Sequence, residues 1–253
     1  MGQTETGLVA LPGLGPEDGP GRPPADSRRR RGVRLSERDQ ALLRWVGEQY
    51  SVRADLLGVL MARHSDDPAA RTKGSLVPRV VNRRIQAWRH AGLVRTRTFL
   101  MGTPATVWLT TEGGAVAGLP WRPYEPTLAT VAHRHAVGLV RAEAETIPAV
   151  TWVCERELRE GQGGRPLHLP DGVVESVDSQ GRTWRTAVEV ELTRKTEARV
   201  AGILRLLLAA YDDVVYRAVP DAGAVVTRAA AGIDGGERVF VKPFPPPALA
   251  AIA

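Results

Sequence analysis

The chain has 253 residues, of which 43% are hydrophobic and 25% are charged, a balance that suits a globular protein with one large or two small domains. A single cysteine, Cys154, excludes an internal disulfide, and no apolar run is long enough for a membrane span. The net charge of +6 indicates a polyanionic partner, because 17 basic but only six acidic residues lie between residues 28 and 100 and the rest of the chain is net acidic.

Residues 1–33 are rich in Gly, Pro and small polar residues and show no hydrophobic periodicity. This composition predicts a disordered arm and lacks the apolar stretch of a signal peptide, so we expect a cytoplasmic protein with no membrane partner. The arm ends in four consecutive arginines, which are either a solubilising tail or a contact to DNA phosphates or the minor groove. They are Arg28, Arg29, Arg30 and Arg31.

Three helices and a hairpin are predicted for residues 34–119. Ser36 is the expected N-cap of the first helix and Ser51 that of the second, and Gly92 is expected to end the third. Three helices followed by a hairpin is the order of a winged helix-turn-helix. The predicted helices cover 36–50, 52–61 and 76–91, with a loop over 64–75; the predicted strands cover 93–100 and 106–110 around a tight turn at 101–104.

The third predicted helix carries an apolar stripe that includes Ile85 and Trp88, and its other faces are polar and basic. Arginine, asparagine and glutamine at these positions suit base edges and phosphates, so double-stranded DNA is the expected partner. A basic surface that is merely solvated is the alternative. The candidate DNA-binding residues are Arg79, Asn82, Arg83, Arg84, Gln86 and Arg89 on the helix, with Arg95 and Arg97 on the hairpin.

A Pro-rich linker (120–126) precedes a second predicted domain over 127–247. Its elements follow the order α-β-β-β-α-β, with a further helix before the last strand, so the fold class is α+β or α/β. Helices are predicted over 127–146, 197–211 and 222–231, and strands over 151–158, 167–177, 185–193, 214–219 and 239–244.

Two glutamates, Glu189 and Glu191, alternate with apolar residues on the third of these strands and therefore share one face. Asp171 lies on the preceding strand, and a hairpin turn over 178–181 joins the two. The turn is centred near residue 180, so the numbers of two residues that pair across it should add up to about 360. The numbers of Asp171 and Glu189 do so, and these two residues should therefore be near cross-strand partners. Three converging carboxylates are the ligand type that Mg²⁺ or Mn²⁺ prefers.

A solvated edge strand is the alternative for these acids, with Arg185, Arg194 or Lys195 as salt-bridge partners. The predicted element order instead puts the strand at the centre of the sheet, where buried carboxylates need pairing or a metal.

The residues Pro170-Asp171 before a hairpin and Glu189-Val190-Glu191 on the next strand resemble the PD-(D/E)xK nuclease superfamily. The resemblance implies that Asp171 and Glu189 hold the metal, and a degenerate nuclease fold with no chemistry is the alternative. Glu191 stands where the family usually has the lysine that orients or activates the attacking water. A few restriction endonucleases also carry Glu-x-Glu there, and Lys195 is a candidate for a displaced lysine.

The chain as a whole resembles the actinobacterial replication-relaxation family over residues 35–245. The stretches that carry this resemblance are LSERDQALLRWV, PDGVVE, VEVELTRKTEARVAGILR and YDDVVY. It implies a DNA-binding protein of plasmid or mobile-element replication or transfer, either a metal-dependent DNA endonuclease or nickase, or a non-catalytic regulator. A homodimer or a complex with other mobile-element proteins is compatible with it.

Other titratable residues give weaker signals. His133 and His135 are two residues apart on a helix and should face apart, which is poor metal-ligand geometry. His168 lies close to Asp171 in the chain. The remaining candidates for an additional ligand are Glu143 and Glu145 on the preceding helix and Glu155 and Glu157 on a predicted strand.

Overall fold

The structure is a computed structural model that describes residues 34–161 and 168–253. In its first half, short helices surround a small antiparallel sheet. The strand order is β1-β3-β2, with Val52 opposite Val107 and Val94 opposite Leu109. The elements are α1 (Glu37–Glu48), β1 (Val52–Arg53), α2 (Ala54–Arg63), α3 (Pro68–Lys73), α4 (Pro78–His90), β2 (Val94–Arg97), β3 (Thr106–Leu109) and α5 (Thr111–Val116).

Helix α1 begins as predicted. Ser36 is its N-cap and forms a capping box with Asp39, which satisfies two backbone N–H groups that the first turn leaves unpaired. Gly92, just after α4, has a φ of +77°, a left-handed conformation that suits glycine at a helix end.

Two local predictions in this half are wrong. Ser51 does not cap α2, because Val52 and Arg53 first pair with β3, and the helix begins only at Ala54. The expected loop over 64–75 contains α3, a helix of six residues whose only buried residue is Ala70, so it shows no apolar periodicity.

The second half is a five-stranded mixed sheet with helices on both faces. The strand order is β4-β5-β6-β7-β8; the pairs among β4, β5 and β6 are antiparallel, and those among β6, β7 and β8 are parallel. Its elements are α6 (Leu128–Ala144), β4 (Val150–Cys154), α7 (Glu155–Gly161), β5 (Gly172–Val177), β6 (Thr183–Glu191), α8 (Glu197–Ala210), β7 (Asp213–Ala218), α9 (Pro220–Ala231) and β8 (Val239–Pro243), with 3₁₀ turns at Gly236–Arg238 and Pro247–Ile252.

The strand predicted over 151–158 is wrong beyond Cys154, where the chain turns directly into α7. The carboxylate of Glu157 accepts a hydrogen bond from the backbone N–H of Cys154 at 3.0 Å, which favours the helical turn. Glu155 and Glu157 therefore do not share a strand face.

Strand β6 is the centre of this sheet. Val188 and Val190 pack against α6 on one face, and Ala187 packs against α8 and α9 on the other. The fold is thus of the mixed α and β class, as expected. Within residues 34–161 and 168–253, no helix combines the length and the apolar character needed to cross a membrane.

The two halves share one hydrophobic core. Leu139 and Ala142 of α6 pack in the same cluster as Leu42 and Trp88 of the first half. Polar contacts reinforce this packing, since Trp45 donates to Glu145 at 2.8 Å.

Arg134 of α6 also fastens the halves together. Its guanidinium carbon lies 3.9 Å from the ring centroid of Tyr50 and 5.9 Å from that of Tyr124 in the predicted linker, and it pairs with Glu155 at 2.6 Å. The predicted boundary at residues 120–126 therefore lies in a packed segment, and the division into two domains remains a prediction.

Candidate functional site

Helix α4 presents a row of polar side chains to solvent. Val81, Ile85 and Trp88 are buried on the inner face and hold the helix against the core. The outer positions are the predicted ones, and they are exposed: Arg79, Asn82, Arg83, Gln86 and Arg89.

The basic surface continues onto the hairpin. Arg95 and Arg97 are exposed on one face of β2, which begins four residues after α4 ends. Arg95 approaches Glu125 only at 3.9 Å, and both side chains are more than two-thirds exposed. Residues 68–111 contain eight basic residues and no acidic one, so this face has a single sign of charge along its own chain segment.

Arg84 lies apart from this row. It points toward α1, where its Nε donates to Asp39 at 2.6 Å and its Nη2 pairs with the second carboxylate oxygen. The Asp39 side chain is only 1% exposed and also accepts from Ser36, so Arg84 neutralises a buried charge and attaches α4 to the start of α1. The predicted arm residues Arg28, Arg29, Arg30 and Arg31 lie outside the described residues.

The carboxylates of the second half lie at one end of the large sheet. Gly172 pairs with Val188, so the next position in the register places Asp171 opposite Glu189. The predicted register is confirmed over Gly172–Val177, with no bulge between the strands. The predicted strand start at residue 167 is wrong, because β5 begins at Gly172 and Asp171 lies just before it. Glu189 and Glu191 are 6% and 5% exposed, which excludes the solvated edge strand.

Each of the three carboxylates has its own partners. Asp171 accepts from the Val190 backbone N–H at 2.8 Å with one oxygen, and its other oxygen is 2.8 Å from Nε2 of His133. Glu189 is 2.7 Å from Nε2 of His168. These contacts compensate part of the cost of placing acids at the end of a central strand.

Glu191 pairs with the Lys195 ammonium, which comes from the segment just before α8. Its other oxygen lies 3.3 Å from the Thr193 hydroxyl and 3.4 Å from the Thr193 N–H. From the sequence, Lys195 has two expected roles, a salt-bridge partner and a displaced catalytic lysine, and in the structure Lys195 forms the salt bridge.

The protonation of this group follows from its burial. Desolvation raises the pKa of Glu189 to about 7, helped by the charge of Asp171 and opposed by His168 and Lys195. The hydrogen bond to Glu189 raises the pKa of His168. Burial alone would lower the pKa of His133, but its hydrogen bond to Asp171 and the charge of that carboxylate outweigh burial and raise it.

Tyr216 of β7 completes this cluster. It pairs in register with Glu189 and is 1% exposed. Burial raises the pKa of its phenol, and the nearby charges of Glu189, Glu191 and Asp171 raise it further.

In this arrangement the carboxylate oxygens of Asp171, Glu189 and Glu191 are not placed to bind one divalent metal ion. Both oxygens of Asp171 accept or share hydrogen bonds, and Glu189 and Glu191 are held by His168 and Lys195. Among the described residues, no three His, Cys, Asp or Glu side chains are grouped so that they could hold one ion.

Other acids considered as ligands have structural partners elsewhere. Glu143 pairs with Arg217, Glu145 accepts from Trp45 and Arg141, and Glu155 pairs with Arg134. His133 and His135 do face apart, since His133 contacts Asp171 and His135 contacts the Ile252 carbonyl.

Sequence reasoning missed Tyr216 and the role of His133. The sequence feature that could have identified Tyr216 is its position on the strand after α8, since this strand, β7, pairs with β6, which carries Glu189 and Glu191. No sequence signal links His133 to Asp171, which is 38 positions away. Comparisons of this chain with family models, with curated proteins and with solved structures find no match.

Proposed function

We propose that this chain is a double-stranded-DNA-binding protein whose first half is a winged helix and whose second half is a PD-(D/E)xK-like domain. The observation that carries the proposal is the acid-free segment 68–111, which exposes five polar side chains on α4 and two arginines on β2. Arginine on an exposed helix binds phosphates and the major-groove edges of guanine, and it makes the affinity depend on salt.

The resemblance to the replication-relaxation family extends this proposal to plasmid or mobile-element replication or transfer. In that setting the second half serves as an accessory domain around a cluster of paired carboxylates. A homodimer and a complex with other mobile-element proteins remain predictions.

The salt dependence of DNA binding tests the proposal. We expect Arg79→Ala combined with Arg83→Ala to weaken binding to a duplex and to lower the slope of log affinity against log salt by about 2, since each lost phosphate contact contributes about 0.9. Fluorescence anisotropy over a salt series measures both quantities.

Arg205→Ala is the matched control, because Arg205 is an exposed arginine of α8 in the other half. It should leave affinity and slope unchanged. Arg84 is unsuitable for the test because it pairs with buried Asp39. Equal slopes for the double variant and the wild type would remove α4 from the DNA interface.

Metal-dependent DNA cleavage is the second candidate function. It is favoured by the strand register, which brings Asp171 next to Glu189 and puts Glu191 two residues further along the same strand. Binding Mg²⁺ or Mn²⁺ there requires the carboxylates to leave their present partners, and Asp171 and Glu189 would then hold the ion, with Glu191 or Lys195 oriented toward water.

Conversion of supercoiled plasmid in Mg²⁺ or Mn²⁺ tests this candidate. An endonuclease or nickase should lose cleavage in Asp171→Asn and keep it in Asp234→Asn, which changes an exposed carboxylate. Wild-type protein that binds the plasmid but leaves it intact would identify the chain as a non-catalytic regulator.

A further inference from the structure

The turn between β2 and β3 exposes two large apolar side chains. Met101 is exposed over its whole side chain and Leu100 over half of it (101% and 51% of the reference area). Two adjacent apolar side chains at the tip of a hairpin form a small apolar patch that a partner could cover.

This tip has a defined shape. The Leu100 carbonyl accepts two hydrogen bonds from Thr103, one from its N–H at 3.2 Å and one from its hydroxyl at 2.7 Å. Gly102 has a φ of +78°, which the third position of such a turn requires. Met101 is therefore held at the outer corner of a hydrogen-bonded turn.

The stem below the tip is anchored in the core. Val107 and Trp108 on β3 are 0% and 5% exposed, and the ring of Phe99 lies 6.5 Å from that of Trp108. The base of the hairpin is therefore packed against the core, while its tip is exposed.

The charge around the tip favours one kind of partner. Arg95 and Arg97 line the exposed face of the stem, and residues 68–111 contain no acidic side chain. The arginines of the stem would attract a polyanion, and the apolar tip would pack against an apolar surface on the same partner. Duplex DNA has both, since its phosphates border a groove whose floor opens onto stacked bases.

We propose that Met101, with Leu100 beside it, is a wedge that enters a base step from the minor groove and bends the DNA. The wedge rests on the proposed DNA-binding function and adds to it a mode of binding. Methionine suits this role because its unbranched side chain adapts to the space between partly unstacked bases. Arg95 and Arg97 would hold the flanking phosphates while α4 occupies the adjacent major groove.

The test uses a duplex several helical turns long, with donor and acceptor dyes at its ends and 2-aminopurine at flexible pyrimidine–purine steps. We expect wild-type protein to shorten the end-to-end distance and to raise 2-aminopurine fluorescence as bases unstack. Met101→Ser should lose both signals and bind roughly tenfold more weakly, and Met101→Leu, which keeps an apolar tip, should retain both.

Val177→Ser is the matched control, because Val177 is 65% exposed at the end of β5 beside the other hairpin turn. It should bend DNA like the wild type. Binding without bending, or equal bending by Met101→Ser, overturns the wedge and leaves DNA binding in place. Absence of binding to any duplex overturns the proposed function itself. Self-association without DNA that Met101→Ser abolishes would assign the tip to a second copy of the chain and also overturn the wedge.

Discussion

Several charged residues in this protein have roles that their place in the sequence does not indicate. Arg84 belongs by sequence to the basic face of α4, yet it neutralises Asp39 inside the fold. His168 and Glu189 lie 2.7 Å apart at the end of a central strand, and burial of the glutamate makes the pair hold a proton at a pH where an exposed glutamate has lost it.

The His168–Glu189 pair predicts a pH-dependent stability. The pKa of Glu189 is raised to about 7 from an unfolded value of about 4.3, so the folded state binds a proton that the unfolded state releases. This contribution is fully present below the unfolded pKa and is lost as the pH rises to about 7. The raised pKa of His168 acts with the same sign, being lost as the pH rises through its folded value.

We therefore expect urea unfolding to report a free energy that falls as the pH increases toward 7 and beyond, with a shallower fall in Glu189→Gln. Glu112→Gln, at an exposed position of α5, is the control and should follow the wild type. Parallel curves for all three proteins would show that Glu189 titrates like an exposed carboxylate.

Among the elements, the β5–β6 hairpin is the one whose contribution to the candidate site is best predicted from the sequence. Its polar turn, period-two alternation and register could all be predicted, and they bring Asp171 opposite Glu189. The sequence could not indicate that the indole of Trp152 on β4 covers Gly172, because that contact depends on the pairing of a third strand.

Gly172→Ala should destabilise the hairpin. A Cβ at this position would lie 2.0 Å from Cζ2 of Trp152, so the ring or the strand must move, at a cost of about 1–3 kcal/mol. Asp171 directly precedes Gly172, so we expect the hydrogen bond between its carboxylate and the Val190 N–H to weaken as well. Thermal unfolding measures the first effect and amide exchange at Val190 the second.

Gly202→Ala on α8 is the matched substitution. Nothing lies within 4 Å of the added Cβ, and alanine favours a helix interior, so stability should rise by about 0.5–1 kcal/mol. An equally stable Gly172→Ala protein would show that Trp152 has room to shift.

At the scale of the whole molecule, the fold class and the order of the longer elements follow from periodicity and turn signals, whereas the short elements and the contacts between elements do not. The predicted bounds of the helices and strands after residue 196 differ from the observed ones by at most two residues. Helix α3 and helix α7 were missed because both are short and lack an apolar stripe. The His133–Asp171 contact and the shared core of the two halves join distant parts of the chain, and such contacts leave no local pattern.

The contacts of Arg134 bear on the proposed mode of DNA binding. This one side chain contacts Tyr50 of the first half, Tyr124 of the predicted linker and Glu155 of the second half, so it links the part of the chain that carries the arginine face of α4 to the part that carries the carboxylates of β6. If the proposed DNA binding holds, we expect the DNA position that faces α4 and the one that faces the second half to be offset by the same number of base pairs on every DNA site.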